Sequence, residues 1–111
     1  MKKPSIYYEK LAAEHPEIVR AYEALGDATR AAGPIDPVHV ELVKLAFAAG
    51  AKIESGTRAH VRRALEAGAT PAQILHVPLL AVTTLGFPSA MTIRGIVQAE
   101  LEKRLGGGAK A

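Results

Sequence analysis

Apolar residues recur along this chain at three- and four-residue spacing, the period of a helix with one buried face. Ile6, Tyr7 and Leu11 mark a short first helix over residues 4–14. Ile18, Val19, Tyr22 and Leu25 mark a second, opened by Pro16, weakening after Gly26 and ending before Gly33-Pro34. Asp36-Pro37 starts a third, because Asp can cap it and Pro can take its first position. Val38, Leu42, Leu45, Ala46 and Ala49 form its apolar face, and Gly50 stops it.

The fourth helix is expected from about Ile53 to Ala67, with Val61, Ala64 and Leu65 inward and Gly68 as a left-handed cap. Thr70-Pro-Ala-Gln73 is a capping-box pattern that opens the fifth. Ile74, Leu75, Leu79, Val82 and Leu85 follow, Pro78 should kink the helix, and Gly86-Phe87-Pro88 closes it. The last helix is expected from about Ser89 to Leu105, with Ile93, Ile96, Val97 and Leu101 on one side. No segment alternates with a period of two. The expected class is therefore all-α, with about six helices in one domain over residues 1–105. The glycine-rich end, residues 106–111, reads as a disordered tail.

The stretch from Ile74 to Leu85 is apolar nearly all round, apart from His76 and two threonines. A helix apolar on every side must be buried on every side, which a small domain does not manage alone. The chain is expected to assemble with itself.

Composition narrows the chemistry. There is no cysteine, so disulfides, thiolate nucleophiles and cysteine metal sites are excluded. The net charge of +3 is mild and spread out; with no arginine stripe interleaved with aromatics, nucleic-acid binding is not expected. No apolar run reaches the roughly 20 residues that span a bilayer. The start MKKPSIYYEK has no apolar core of a signal peptide. These features fit a cytoplasmic protein that is not membrane-bound. His15, His39, His60 and His76 show no helical i,i+4 pairing, so no metal site is expected. His39 is expected to be exposed. Phosphate-binding loops, dinucleotide fingerprints and nucleophile elbows are absent.

The candidate chemistry lies in one ordered series. It runs Glu41-Leu-Val-Lys-Leu-Ala46, a glycine break, His60-Val-Arg-Arg-Ala-Leu-Glu-Ala-Gly68-Ala-Thr-Pro-Ala-Gln-Ile74, then Gly86-Phe-Pro-Ser-Ala90. Over residues 36–104 this resembles the carboxymuconolactone decarboxylase family, which shares its fold with alkyl hydroperoxidase D-like proteins. The resemblance implies a helical bundle of that type and a homotrimer or homohexamer. It also implies one of two chemistries: a cysteine-pair thiol peroxidase, or decarboxylation of a small carboxylated lactone in aromatic catabolism with no cofactor. The cysteine pair would fall at Ile53 and Gly56, and neither can form a thiolate. Decarboxylation remains.

By the same resemblance Glu41 and His60 stand where the family's glutamate and histidine would stand. A histidine near its ordinary pKa of about 6.5 can protonate carbon at neutral pH, and a glutamate in reach would fix its tautomer. An arginine could hold a substrate carboxylate. Arg58, Arg62 and Arg63 are nearby, with Arg63 and Arg58 the chosen substrate-binding candidates and His76 a third. A histidine beside an apolar stripe is also a common packing residue, and Glu41 could equally form a surface pair with Lys44. Thr83 and Thr84 could line a pocket or simply return their hydroxyls to the backbone. The contrasting reading of the whole chain is a non-catalytic oligomerisation or ligand-binding module on the same fold.

Overall fold

Ser5 caps the first helix: its hydroxyl accepts a hydrogen bond from the Tyr8 amide at 3.2 Å. In the computed structural model, which describes residues 5–106, helix α1 then spans Ile6–Glu14 and α2 spans Pro16–Ala31. α3 is Pro37–Gly50, α4 Glu54–Ala67, α5 Pro71–Leu80 and α6 Phe87–Arg104, with a single 3-10 turn at Ala81–Thr83. No strand occurs among the described residues. The all-α class expected from the sequence is observed. The tail from residue 107 onward lies outside the described residues.

The chain divides into two compact units, one up to Asp36 and one from Pro37. In the first, α1 and α2 pair, and the Tyr8 hydroxyl donates to Glu23 at 2.5 Å. α2 does not fade at Gly26. An interior glycine costs about 1 kcal/mol of helix propensity, too little to break a helix already propagating on both sides. The Thr29 hydroxyl bonds the Gly26 carbonyl at 2.8 Å within that turn.

The second unit holds the core. Leu45, Val61, Ala64, Ile74, Val97 and Leu101 are fully buried, one or two from each of α3 to α6. α3 and α4 form a tight antiparallel hairpin. The helix ends where expected, yet the left-handed residue of the turn is Lys52, at φ 62°, not Gly50. The Ile53 amide bonds the Ala48 carbonyl at 3.0 Å and closes the turn. A lysine in that conformation costs about 1–2 kcal/mol, offset by the bonds that close the helix end.

At the far end of α4, Gly68 adopts φ 105° as its left-handed cap, and the Ala69 amide reaches back to Ala64 at 2.9 Å. The capping box forms in full: Gln73 N–H donates to Thr70 Oγ1 at 3.1 Å, and Thr70 N–H donates to Gln73 Oε1 at 2.9 Å.

The fifth helix departs from expectation. It ends at Leu80 and tightens into the 3-10 turn instead of running on to Leu85. Pro78 supplies no N–H to the Ile74 carbonyl and crowds it, so the backbone winds tighter within a turn. The Ala81 carbonyl then gathers the amides of Thr84, Leu85 and Gly86, at 3.1, 2.8 and 3.2 Å. α6 starts two residues before the expected Ser89. Gly86, at φ 104°, leads into it, and Pro88 occupies the first turn, where a missing N–H leaves no bond unmade.

No helix among the described residues is long and apolar enough to cross a membrane.

Candidate active site

Glu41, Leu45 and Ala49 lie four residues apart on α3 and form its buried edge. α4 runs back along that edge, with a close approach at Gly56 near its start and an ordinary contact at Gly68 beyond its end. A Cβ on Gly56 would lie 3.3 Å from the Ala48 Cβ, and one on Gly68 would lie 3.9 Å from Val38. This hairpin brings Glu41 and His60 together. His60 Nδ1 is 3.1 Å from Glu41 Oε1, with the side chains only 17% and 8% exposed.

A carboxylate can only accept, so Nδ1 carries the proton and donates it. In the neutral imidazole Nε2 is then the free lone pair, and in the imidazolium it is an acid. The pKa of His60 is held below its ordinary value. Burial is the main cause, since it disfavours the charged ring. Glu41 opposes it through the hydrogen bond and its charge, while the positive charges of Lys44 and Arg63 add to the lowering. Each cation is three residues along its own helix from a member of the pair, and both are half-buried. A surface pairing of Glu41 with Lys44 does not describe Glu41, which is 6% exposed.

The remaining candidates separate. Arg58 is committed elsewhere. Its guanidinium donates to Glu54 at 2.9 and 3.1 Å and to Glu100 at 3.1 Å. Glu100, on α6, is 1% exposed and also receives Arg104 Nε at 2.6 Å. Burial pushes the Glu100 pKa up, but Arg104 and Arg58 together outweigh that and hold it below the ordinary carboxylate value. Arg58 therefore ties α4 to α6. The sequence offered no sign of this, since Glu100 reads as one more charge on a terminal helix. Lys44 was likewise legible only as a surface charge.

Arg62 is paired one turn along α4 with Glu66, at 3.5 Å. His39 is exposed, as expected. His76 lines a cavity of about 530 Å³ between α3 and the α5–Ala81–Thr83 segment, together with His39 and Gln73; neither Glu41 nor His60 lines it. The Thr84 hydroxyl returns to the Leu80 carbonyl at 2.8 Å, which is the local reading of that residue. Thr83 is exposed in the 3-10 turn. Ile53 and Gly56 sit at the start of α4, Ile53 exposed and Gly56 packed against Ala48. Among the described residues, no three side chains of the types His, Asp and Glu converge as metal ligands would.

The site can therefore exchange a proton at His60 Nε2, with Glu41 fixing the tautomer and two cations beside it. Comparison with curated proteins gives no match, and comparison with solved structures gives none either. The family model of the carboxymuconolactone decarboxylase family matches residues 16–99. That span holds the Glu41–His60 pair and more than half of the 111 residues; the chain belongs to the carboxymuconolactone decarboxylase family.

Proposed function

We propose that this protein is a carboxy-lyase acting on a small carboxylated lactone or a related enolisable acid. The observation that carries the reading is the part-buried Glu41–His60 contact at 3.1 Å, in a member of this family without cysteine.

The chemistry follows from the tautomer. In a carboxylated unsaturated lactone the bond to the leaving carboxylate breaks, and carbon dioxide departs. The electron pair moves through the double bond to the lactone carbonyl oxygen, giving a dienolate. The pair then returns to carbon α to that carbonyl and takes a proton from His60 Nε2. His60 recovers its proton from solvent. Glu41 holds Nδ1–H through the cycle and stabilises the imidazolium. Arg63 and Lys44 provide positive charge for a substrate carboxylate and for the developing oxyanion. The residues present supply an acid, its orienter and an anion site, which is all this sequence of steps uses.

The experiment is loss of 4-carboxymuconolactone absorbance with purified protein, beside His60→Ala. Turnover that collapses in the variant supports the reading. Equal turnover in both removes His60 from the mechanism. No turnover in either rejects this substrate and favours the non-catalytic ligand-binding module on the same fold.

The functional form is a homo-oligomer. Phe47 is 73% exposed and Phe87 62% within one unit, more large apolar surface than a solitary small domain usually presents. The trimer and hexamer implied by the family resemblance are the states to look for.

A further inference from the structure

The cavity between α3 and α5 is polar at one end and apolar at the other. α3 and α5 run side by side in the same sense. At one end Val38 stands beside Gly68, just ahead of α5; at the other, Gly50 stands beside Leu85, a Cβ on it lying 3.8 Å from the Leu85 Cδ1. Of the polar lining residues, His39 and Gln73 come from the first turns of the two helices and His76 from the second turn of α5. Thr84 lines the far end with its hydroxyl turned back to the Leu80 carbonyl, and the apolar residues around it include Ala46, Ala49, Leu80, Ala81, Leu85 and Ile93.

Two of the polar groups have donors to offer. Gln73 spends its Oε1 on the capping box, which leaves its amide N–H₂ to donate. His76 sits one turn further along the same helix, and its imidazole carries at least one N–H. No Asp or Glu lines the cavity. Its volume of about 530 Å³ lies in the range of small-molecule sites, which run from ~300 to ~1,000 Å³ and pair an apolar body with a few placed polar groups.

We propose that this cavity is a second ligand site, separate from the Glu41–His60 pair, which binds a carboxylic acid with an unbranched apolar body. The carboxylate lies at the Gln73–His76 end and accepts their N–H groups, and the hydrocarbon fills the end lined by Ala46, Leu80 and Leu85. An ammonium head finds no acceptor carboxylate there. A branched or bulky dicarboxylate would force a charge against the apolar end, so the site selects a different acid from the one turned over at His60. The proposal does not rest on the decarboxylase reading.

The test is calorimetric titration of the full chain with octanoate, with octylammonium as the control, for the native protein and for His76→Ala, Ala46→Phe and His60→Ala. All three substituted positions are exposed or half-buried, and thermal melts would verify folding. Saturable octanoate binding, one per chain, is expected. His76→Ala should weaken it about ten-fold, as for a hydrogen bond to a charged group. Ala46→Phe should abolish it by filling the apolar end, and His60→Ala should leave it unchanged. The proposal is overturned by no saturable binding up to about 1 mM, by equal binding of octylammonium, or by affinity indifferent to both cavity variants. It is also overturned if octanoate fails to bind while Ala46→Phe alters the molecular mass in solution, which would assign the cleft to a second copy of the chain.

Discussion

His60 Nδ1 and Glu41 Oε1 stand 3.1 Å apart on antiparallel helices, the carboxylate buried and the imidazole half-buried. The contact fixes which imidazole nitrogen is free, and so fixes where a proton can be exchanged. His60→Ala should lower kcat on a carboxylated lactone by about 10²–10⁴, the usual contribution of a positioned proton donor. Glu41→Gln, which keeps the size but removes the charge, should lower it less. Steady-state rates on the two variants check this, and an equal or larger loss in Glu41→Gln would count against His60 as the acid.

The lowered pKa of His60 has a direct consequence for rate. The acid is the imidazolium, and burial leaves it a minority form above a pH somewhat below the ordinary 6.5. The kcat/KM on a carboxylated lactone should therefore fall as pH rises through the His60 pKa. Removing a neighbouring cation, as in Lys44→Met, should move that limb to higher pH. A limb that stays in place in Lys44→Met would argue against coupling between the two groups.

The same shift bears on stability. The folded state binds the His60 proton more weakly than the unfolded chain does, so acidification through and below about pH 6.5 favours unfolding. Glu100 acts in the same sense lower down: its folded pKa is below its ordinary value of 4.5, so its contribution is present above that pH and lost as pH falls through the folded value. Between pH 7 and pH 5 the denaturant midpoint of the native protein should fall further than that of His60→Gln, and parallel falls in the two would argue against a lowered His60 pKa.

Glu100 lies 1% exposed between Arg58 and Arg104. Arg104→Ala should cost about 1–3 kcal/mol, because it removes the shortest partner of a buried charge that Arg58 still holds. Replacing Glu100 and Arg104 together with Met and Leu should recover part of that, since the under-paired charge is gone and Arg58 keeps Glu54. Chemical denaturation of the single and double variants decides it; equal losses would mean that the pair itself is strongly stabilising.

Phe47→Glu and Phe87→Glu place charges on exposed apolar surface of the second unit. If that surface joins copies of the chain, both should lower the molecular mass seen by light scattering, with little loss of helical signal. Unchanged mass in both would remove this face from the assembly.

Most of the fold was legible because its signals are local. A capping box, a glycine able to take φ 105°, and prolines in first turns act within four or five residues, and the helical period shows which face is apolar. The errors came where local and non-local effects compete. Pro78 announces a disturbance, but whether a helix kinks or tightens depends on what the next carbonyls can bond, here Ala81 with three amides. Gly50 marks the end of α3, but no local signal marks the left-handed residue of the turn, which falls on Lys52 beside the closing bond from Ile53 to Ala48.

For the site, the sequence by itself determined the residue types: no thiolate is available, and Glu41 and His60 are the acid and the imidazole that a family pattern singles out. Only the tertiary structure decided which groups meet. Residues 19 apart in sequence came within hydrogen-bonding distance because α3 and α4 pack antiparallel. Arg58, two residues from His60, turned instead to Glu100, 42 residues away. Position along a helix sets only the direction in which a side chain leaves it. What that side chain finds there, and whether water is excluded around it, depends on helices whose sequence carries no record of the contact.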